Sequence, residues 1–238
     1  MWRKTLALTA VLGGVVCQAT GERPRPTGEA SLTVSVFNDA EIPPLVLQTA
    51  RVRAETVFDA AGIALTWLDC GTPGHWVTDI GCAGVTYPTH LSVRLAKDRR
   101  HPSQDIFGES FLDDRGEGDY ACVYLAPMAS SKALSVLSEG ELLGYVVVHE
   151  LGHLLLGKDS HAPQGVMRPV WQFEDLQQAA HGRLGFTSSQ VERMRSRYLS
   201  ASLRPSAASA RETTKGILRN GVSASERPSM ARLTLPSE

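Results

Sequence analysis

Along the chain, apolar and polar positions first alternate and then lengthen their period. Ser31 to Phe37 alternates, is β-branched at Thr33, Val34 and Val36, and so predicts a strand. From Leu45 to Ala61 apolar residues recur at helical spacing (Leu45, Val52, Val57, Ala60), with Pro43 and Pro44 before them and Gly62 after, which predicts a helix with start and stop signals. Ile63 to Leu68 returns to a strand pattern, and a strand–helix–strand unit implies parallel pairing through a right-handed crossover. Leu91–Leu95 and Ala121–Leu125 are further strand candidates. Residues 97–119 are polar and glycine-rich apart from Ile106-Phe107 and Phe111-Leu112, a pattern for a loop followed by an edge strand.

After Leu125 the pattern changes to helices. Ser138 and Glu141 form a capping-box pair, and Leu142 to Leu156 follows with only Gly144 and Gly152 interrupting it before a stop at Gly157. Two amphipathic helices are expected from about Glu174 to Ala180 and from Ser188 to Leu199. Strands dominate the first half and helices the second, which predicts an α/β fold: a mixed twisted sheet packed on helices, one long helix, and a small helical C-terminal part.

The two ends fall outside this pattern. Met1-Trp2-Arg3-Lys4, an apolar run from Leu6 to Val16 and the small residue Ala19 read as a secretory signal peptide over residues 1–19, followed by a short linker over 20–30. The run is shorter than the roughly 20 apolar residues a membrane span takes, so no transmembrane helix is expected in the mature chain. The competing reading is a lipid anchor at Cys17, against which stands the bulk of Val16 before it. Residues 202–238 sustain no period of either kind and are expected to form a tail without order. The folded domain is therefore expected over residues 31–201, in a secreted or cell-envelope protein.

Composition then removes function classes. With 24 Lys+Arg against 25 Asp+Glu, the net charge of -1 provides no electrostatic footprint for nucleic acid. Export leaves an odd set of cysteines, Cys70, Cys82 and Cys122. Cys70 and Cys82 flank a Gly/Pro-rich loop that a disulfide can close, while Cys122 lies in an apolar run and behaves as a small buried hydrophobe. None has the spacing of a zinc or redox pair.

The chemistry concentrates at His149-Glu150-Leu151-Gly152-His153. Residues four apart on a helix lie only about 40° apart around its axis, so both imidazoles leave one face together. Glu150, about 100° round, can reach a water on an ion held there without ligating it. This is the H-E-x-x-H arrangement of zinc hydrolases. Two neutral nitrogens suit Zn²⁺, whose catalytic sites keep three protein ligands and an open position. The flanking Tyr145–Val148 and Leu154–Leu156 make the helix apolar nearly all round, so these polar groups are buried and need a partner.

On these residues the chain resembles the metzincins, secreted zinc peptidases with H-E-x-x-H-x-x-G-x-x-H and a following methionine turn. The resemblance implies a metzincin-like fold, peptide or protein substrates, one catalytic Zn²⁺, and an active-site helix carrying His149, Glu150 and His153. It also implies a third ligand at His161 and a methionine turn at Met167, in Gly165-Val166-Met167. The spacing departs from the family: the glycine and the histidine fall eight and twelve positions after His149, where the family has seven and ten. Leu156 and Asp159 stand at the family positions, and Asp159 is the competing third ligand, since zinc accepts carboxylate oxygen. Four residues from Gly157 span up to about 13 to 14 Å, enough for His161 to return to the site.

The sequence thus points to a secreted zinc metallopeptidase in which Glu150 is the general base. Its rival is an exported metal-binding or adhesion module that retains the fold without turnover. Retention of Glu150 opposes the rival, because a structural metal site has no use for it.

Overall fold

A computed structural model describes residues 30–72, 75–76, 80–98, 106–202 and 229–234. The expected signal peptide with Cys17 and the expected linker up to residue 29 lie outside the described residues, as do His101 and most of the expected tail.

The core is a six-stranded mixed sheet in the order β2-β1-β5-β7-β6-β8. Its strands are β1 (Ala30–Asn38), β2 (Ile63–Asp69), β5 (His90–Ala96), β6 (Ile106–Leu112), β7 (Tyr120–Tyr124) and β8 (Ser229–Thr234), while the short β3 (Gly71–Thr72) and β4 (His75–Trp76) pair separately. β1 runs parallel to both β2 and β5, and β5 is parallel to β7. Only β6 reverses direction, antiparallel to β7 and β8. The strand–helix–strand unit read from the sequence is therefore a parallel pair joined by α1 (Pro44–Ala60), whose first turn holds Pro44 where a missing N–H is harmless.

The long helix is α4 (Glu139–Leu156), after the small α2 (Ile80–Ala83), α3 (Leu125–Ala129) and a 3₁₀ turn at Lys132–Ser135. Its capping box forms as expected: Ser138 Oγ accepts from Glu141 N–H, and the Glu141 carboxylate returns to Ser138 N–H at 3.1 Å. Gly157 ends it at φ 77°, a left-handed position that a Cβ would strain. Every residue from Leu142 to Leu156 is buried, because α1 covers one side and the sheet another. The glycines within it are places of contact rather than weakness. A Cβ at Gly144 would lie 2.6 Å from the carbonyl oxygen of Ala50, so α1 crosses directly on that residue. Arg53 of α1 closes the same contact, bonding Glu141 at 2.8 Å and lying over the Tyr145 ring.

Two shorter helices, α5 (Phe173–Ala180) and α6 (Ser188–Ser202), complete the helical C-terminal part. Two details differ from the sequence reading. Leu125 starts α3 instead of ending β7. Residues 229–234, within the expected tail, pair with β6 as its outer neighbour.

Cys70 and Cys82 are joined in a disulfide, and Cys122 is a buried free thiol. The bridge ties the end of β2 to α2 across a loop whose chain entropy it removes from the unfolded state. Replacing both cysteines by serine is expected to cost roughly 2–3 kcal/mol. Denaturant unfolding of the double variant beside the wild type measures the loss, and an unchanged midpoint would show that the bridge contributes nothing.

Candidate metal centre

His149 and His153 lie one helical turn apart on α4, fully buried, with their Nε2 atoms 2.9 Å apart. Each ring is oriented from behind. The Nδ1–H of His149 donates to the Val166 carbonyl at 2.7 Å, and a carbonyl can only accept, so Nε2 of His149 carries a lone pair. Nδ1 of His153 meets Ser160 Oγ at 2.6 Å, and Gln190 Nε2–H fixes the Ser160 carbonyl at 3.1 Å. The third imidazole comes from the loop after α4. His161 is solvent-exposed, yet its ring centroid is 5.5 Å from that of His149 and 4.6 Å from that of His153.

One nitrogen from each of the three rings lies within 4.8 Å of the others, a geometry that could hold a metal ion. The donor set fits such an ion on its own chemistry. In the metal-free chain, a single proton on Nε2 of His153 can bridge to His149, with Ser160 then donating to Nδ1. With a metal ion held there, His149 and His153 would both present Nε2 to it and Ser160 Oγ would accept from Nδ1–H of His153, the usual outer support of a metal-bound imidazole. Asp159 is not in this cluster. It is exposed and sits at φ 56° in the turn that leads into Ser160.

The floor of the site is the segment 165–171. Arg168 N–H returns to the Gly165 carbonyl at 3.1 Å, closing a turn over Val166 and Met167. Met167 is fully buried, and its thioether lies against Gly152, where a Cβ would overlap Sδ. Trp171 donates its indole N–H to the same Val166 carbonyl at 3.0 Å that His149 uses, and its ring stands edge-on to His149. Asp175 of α5 latches the segment, accepting from Arg168 at 3.0 Å and from Gln172 N–H at 2.8 Å.

Glu150 faces β6, the strand next to the sheet edge. It is fully buried, its Oε2 accepts from Ser110 Oγ on β6 at 2.7 Å, and its Oε1 is buried with no hydrogen bond. Burial pushes this carboxyl up to about 8. Burial also pushes His149 down to about 3 and His153 well below the usual imidazole range. In the metal-free chain the neutral forms of all three groups are therefore the folded forms.

Among the described residues, the histidines outside the cluster have other settings. His90 opens β5, half-buried, with Nε2 2.8 Å from Ser35 Oγ. His181 is exposed at the end of α5. Asp113, in the acidic stretch, accepts from the backbone N–H of Arg115 and of Glu117 at 2.9 Å and so closes its own turn. Val166, Ser160, Gln190 and Ser110 were not visible as site residues from the sequence. Ser160, adjoining His161, is the one that position alone could have suggested.

Comparison with known proteins adds outline. No protein-family model matches the sequence, and no curated protein does. The fold is similar to the crystal structure of an archaemetzincin from Methanopyrus kandleri, at 18% identity over 74% of this chain and 99% of that one, with a TM-score of 0.44. It is similar to metalloproteinase-II from Bacteroides fragilis at 13% identity, over 74% of this chain and 55% of that one, with a TM-score of 0.43. Myroilysin follows at 14% identity, covering 68% and 70%, with a TM-score of 0.30. At these values the likeness is one of outline, and the chemistry of the site rests on its own residues.

The buried histidines set the acid limit of the metal-free protein. Both have folded pKa values below the unfolded value near 6.5, so as pH falls below that value the unfolded chain gains protons that the folded one refuses. Stability is lost in that direction, by about 2 kcal/mol at pH 5 for His149 alone. Glu150 acts oppositely: its folded value is raised, so stability is lost as pH rises from about 4.5 through 8. The melting temperature of the metal-free chain is expected to peak between these limits. A melting series across pH 4 to 9 tests this, and a flat profile would refute the burial of these groups in neutral form.

Proposed function

We propose that this protein is an exported zinc metallopeptidase of the metzincin kind. The observation that carries the reading is the joining of three imidazole nitrogens beside a buried carboxylate with one oxygen left without a partner. His149, His153 and His161 are the proposed ligands, Glu150 the general base, and Met167 the methionine of the turn beneath them. A zinc ion bound there supplies Lewis acidity, polarising a scissile carbonyl and acidifying a water. Glu150 would accept a proton from the attacking water at Oε1 and deliver it to the leaving amine. The Val166 carbonyl holds His149 in the tautomer that presents Nε2, and Ser160 Oγ is placed to accept from Nδ1–H of His153 when that ring presents Nε2 as well. His161 is the exposed member of the three, and a peptide would approach from its side. Export accords with the Cys70–Cys82 disulfide and with the N-terminal sequence. Among the described residues no helix is long and apolar enough to cross a membrane.

The test is digestion of a proteome-derived peptide library by the full chain, with zinc content measured on the same sample. New peptide termini are expected with the zinc-loaded protein and are expected to vanish after chelation and return with zinc. A chain that binds zinc stoichiometrically and cleaves nothing would instead be the exported binding module.

A further inference from the structure

Glu150 rests in a socket made by one strand. Gly108 and Ser110 lie two apart on β6 and so share one face of the sheet, the face against α4. Glu109 between them turns to the opposite face, where its Oε2 accepts from Tyr124 OH at 3.0 Å, so it does not compete for the site. Where any other residue has a Cβ, Gly108 leaves room for the carboxylate: a Cβ there would lie 2.5 Å from Glu150 Oε1 and 2.6 Å from Cγ. On the other side, Ser110 Oγ is 2.7 Å from Oε2 and 2.8 Å from the backbone carbonyl of Glu150 itself. A hydroxyl has one proton, and here it has two acceptors of the same residue. It is thereby held in place whichever one it serves, and it ties the carboxylate to the backbone carbonyl of its own residue, within the second half of α4.

We propose that Ser110 is a positioning residue for Glu150. It anchors Oε2, and the space above Gly108 leaves Oε1 as the working oxygen. The socket gives the two oxygens of one carboxylate different tasks, which the H-E-x-x-H motif alone does not do. A carboxylate free to rotate about its last bond presents either oxygen to the water, and the geometry for proton transfer is then met only part of the time. The proposal rests on the peptidase reading for its kinetic consequence and on the contacts alone for its structural one.

The experiment is a double-mutant cycle in the zinc-loaded full chain: wild type, Ser110→Ala, Glu150→Gln and the pair. Two readouts are taken: peptide hydrolysis and the affinity of acetohydroxamate, a small zinc chelator whose N–H and O–H a neighbouring carboxylate accepts. Ser110→Ala is expected to keep its zinc, to hold KM within about twofold, and to lower kcat. It should also weaken acetohydroxamate by about 10- to 100-fold, the worth of a hydrogen bond to a charged group. In the Glu150→Gln background neither change should appear. Ser110→Cys, a weak donor of similar size, should fall between wild type and alanine, and it decides the matter should alanine fail to fold. Equal losses in both backgrounds would make Ser110 a plain packing residue and overturn the proposal, as would unchanged acetohydroxamate affinity. If the zinc-loaded wild type hydrolyses no peptide, the peptidase reading fails, while the acetohydroxamate cycle still decides the role of Ser110.

Discussion

Glu150→Gln is expected to leave zinc bound and to reduce peptide hydrolysis by about 10²- to 10⁴-fold, the usual worth of a general base. Glutamine has the size and planar end of the neutral carboxylic acid, which is the form burial favours in the metal-free chain. The fold therefore has nothing to relax around: Ser110 can keep its contact at the anchored position, and Gly108 still leaves the space. What disappears is the capacity to accept a proton at the second position. Because Glu150 is not among the clustered histidines, metal content should stay at the wild-type level. The measurement is zinc stoichiometry and kcat/KM on one preparation. A variant that loses zinc in proportion to activity would place Glu150 among the ligands, and one that loses neither would remove it from the reaction.

How much of this was legible in the sequence depended on the range of the interaction. The helix α4 was written locally, by its capping pair at Ser138 and Glu141, its apolar run and its glycine stop, and all of these fall within a turn or two of one another. The histidine spacing is likewise local, so their shared face follows from helical geometry alone. The disulfide followed from counting and from the loop between its cysteines. The partners that orient the site are non-local. Ser110 reaches Glu150 across 40 residues of sequence and Val166 reaches His149 across 17, through a carbonyl that every residue type possesses. No side-chain pattern encodes a carbonyl acceptor.

The strand β6 illustrates the same limit. Its Gly108-Glu109-Ser110 centre looked like a loop turning into an edge, because two polar residues and a glycine interrupt the apolar ends. In the fold all three are buried, since α4 covers one face and Tyr124 partners Glu109 on the other. The glycines of α4 misread in the opposite sense: as helix-weakening residues they suggested interruption, whereas Gly144 and Gly152 leave the room that Ala50 of α1 and Met167 occupy. The strand at 229–234 had no legible partner, because pairing to a sheet edge uses backbone groups and leaves little trace in side-chain pattern.

His161→Ala is expected to lower zinc affinity and activity together, whereas Asp159→Gly should leave both near wild type. Counted from His149, the third-ligand position of the metzincin pattern falls on Asp159, whereas the histidine lies two residues further on, one residue of the difference falling before Gly157 and one after it. Asp159 is turned to solvent at φ 56°, a left-handed conformation that aspartate tolerates and glycine adopts freely. Glycine therefore removes the carboxylate without straining the turn, which alanine would not. His161, two residues on, is brought within 4.8 Å of the other two nitrogens, because Ser160 between them is tied to His153 and its carbonyl to Gln190. That double tie fixes where the next side chain emerges. Loss of a direct ligand should exceed the roughly 10- to 100-fold that loss of an outer partner costs in metal affinity. Competition with a zinc chelator of known affinity gives the numbers for both variants. If Asp159→Gly strips the metal and His161→Ala keeps it, the third ligand is the carboxylate and the loop closes by the shorter path.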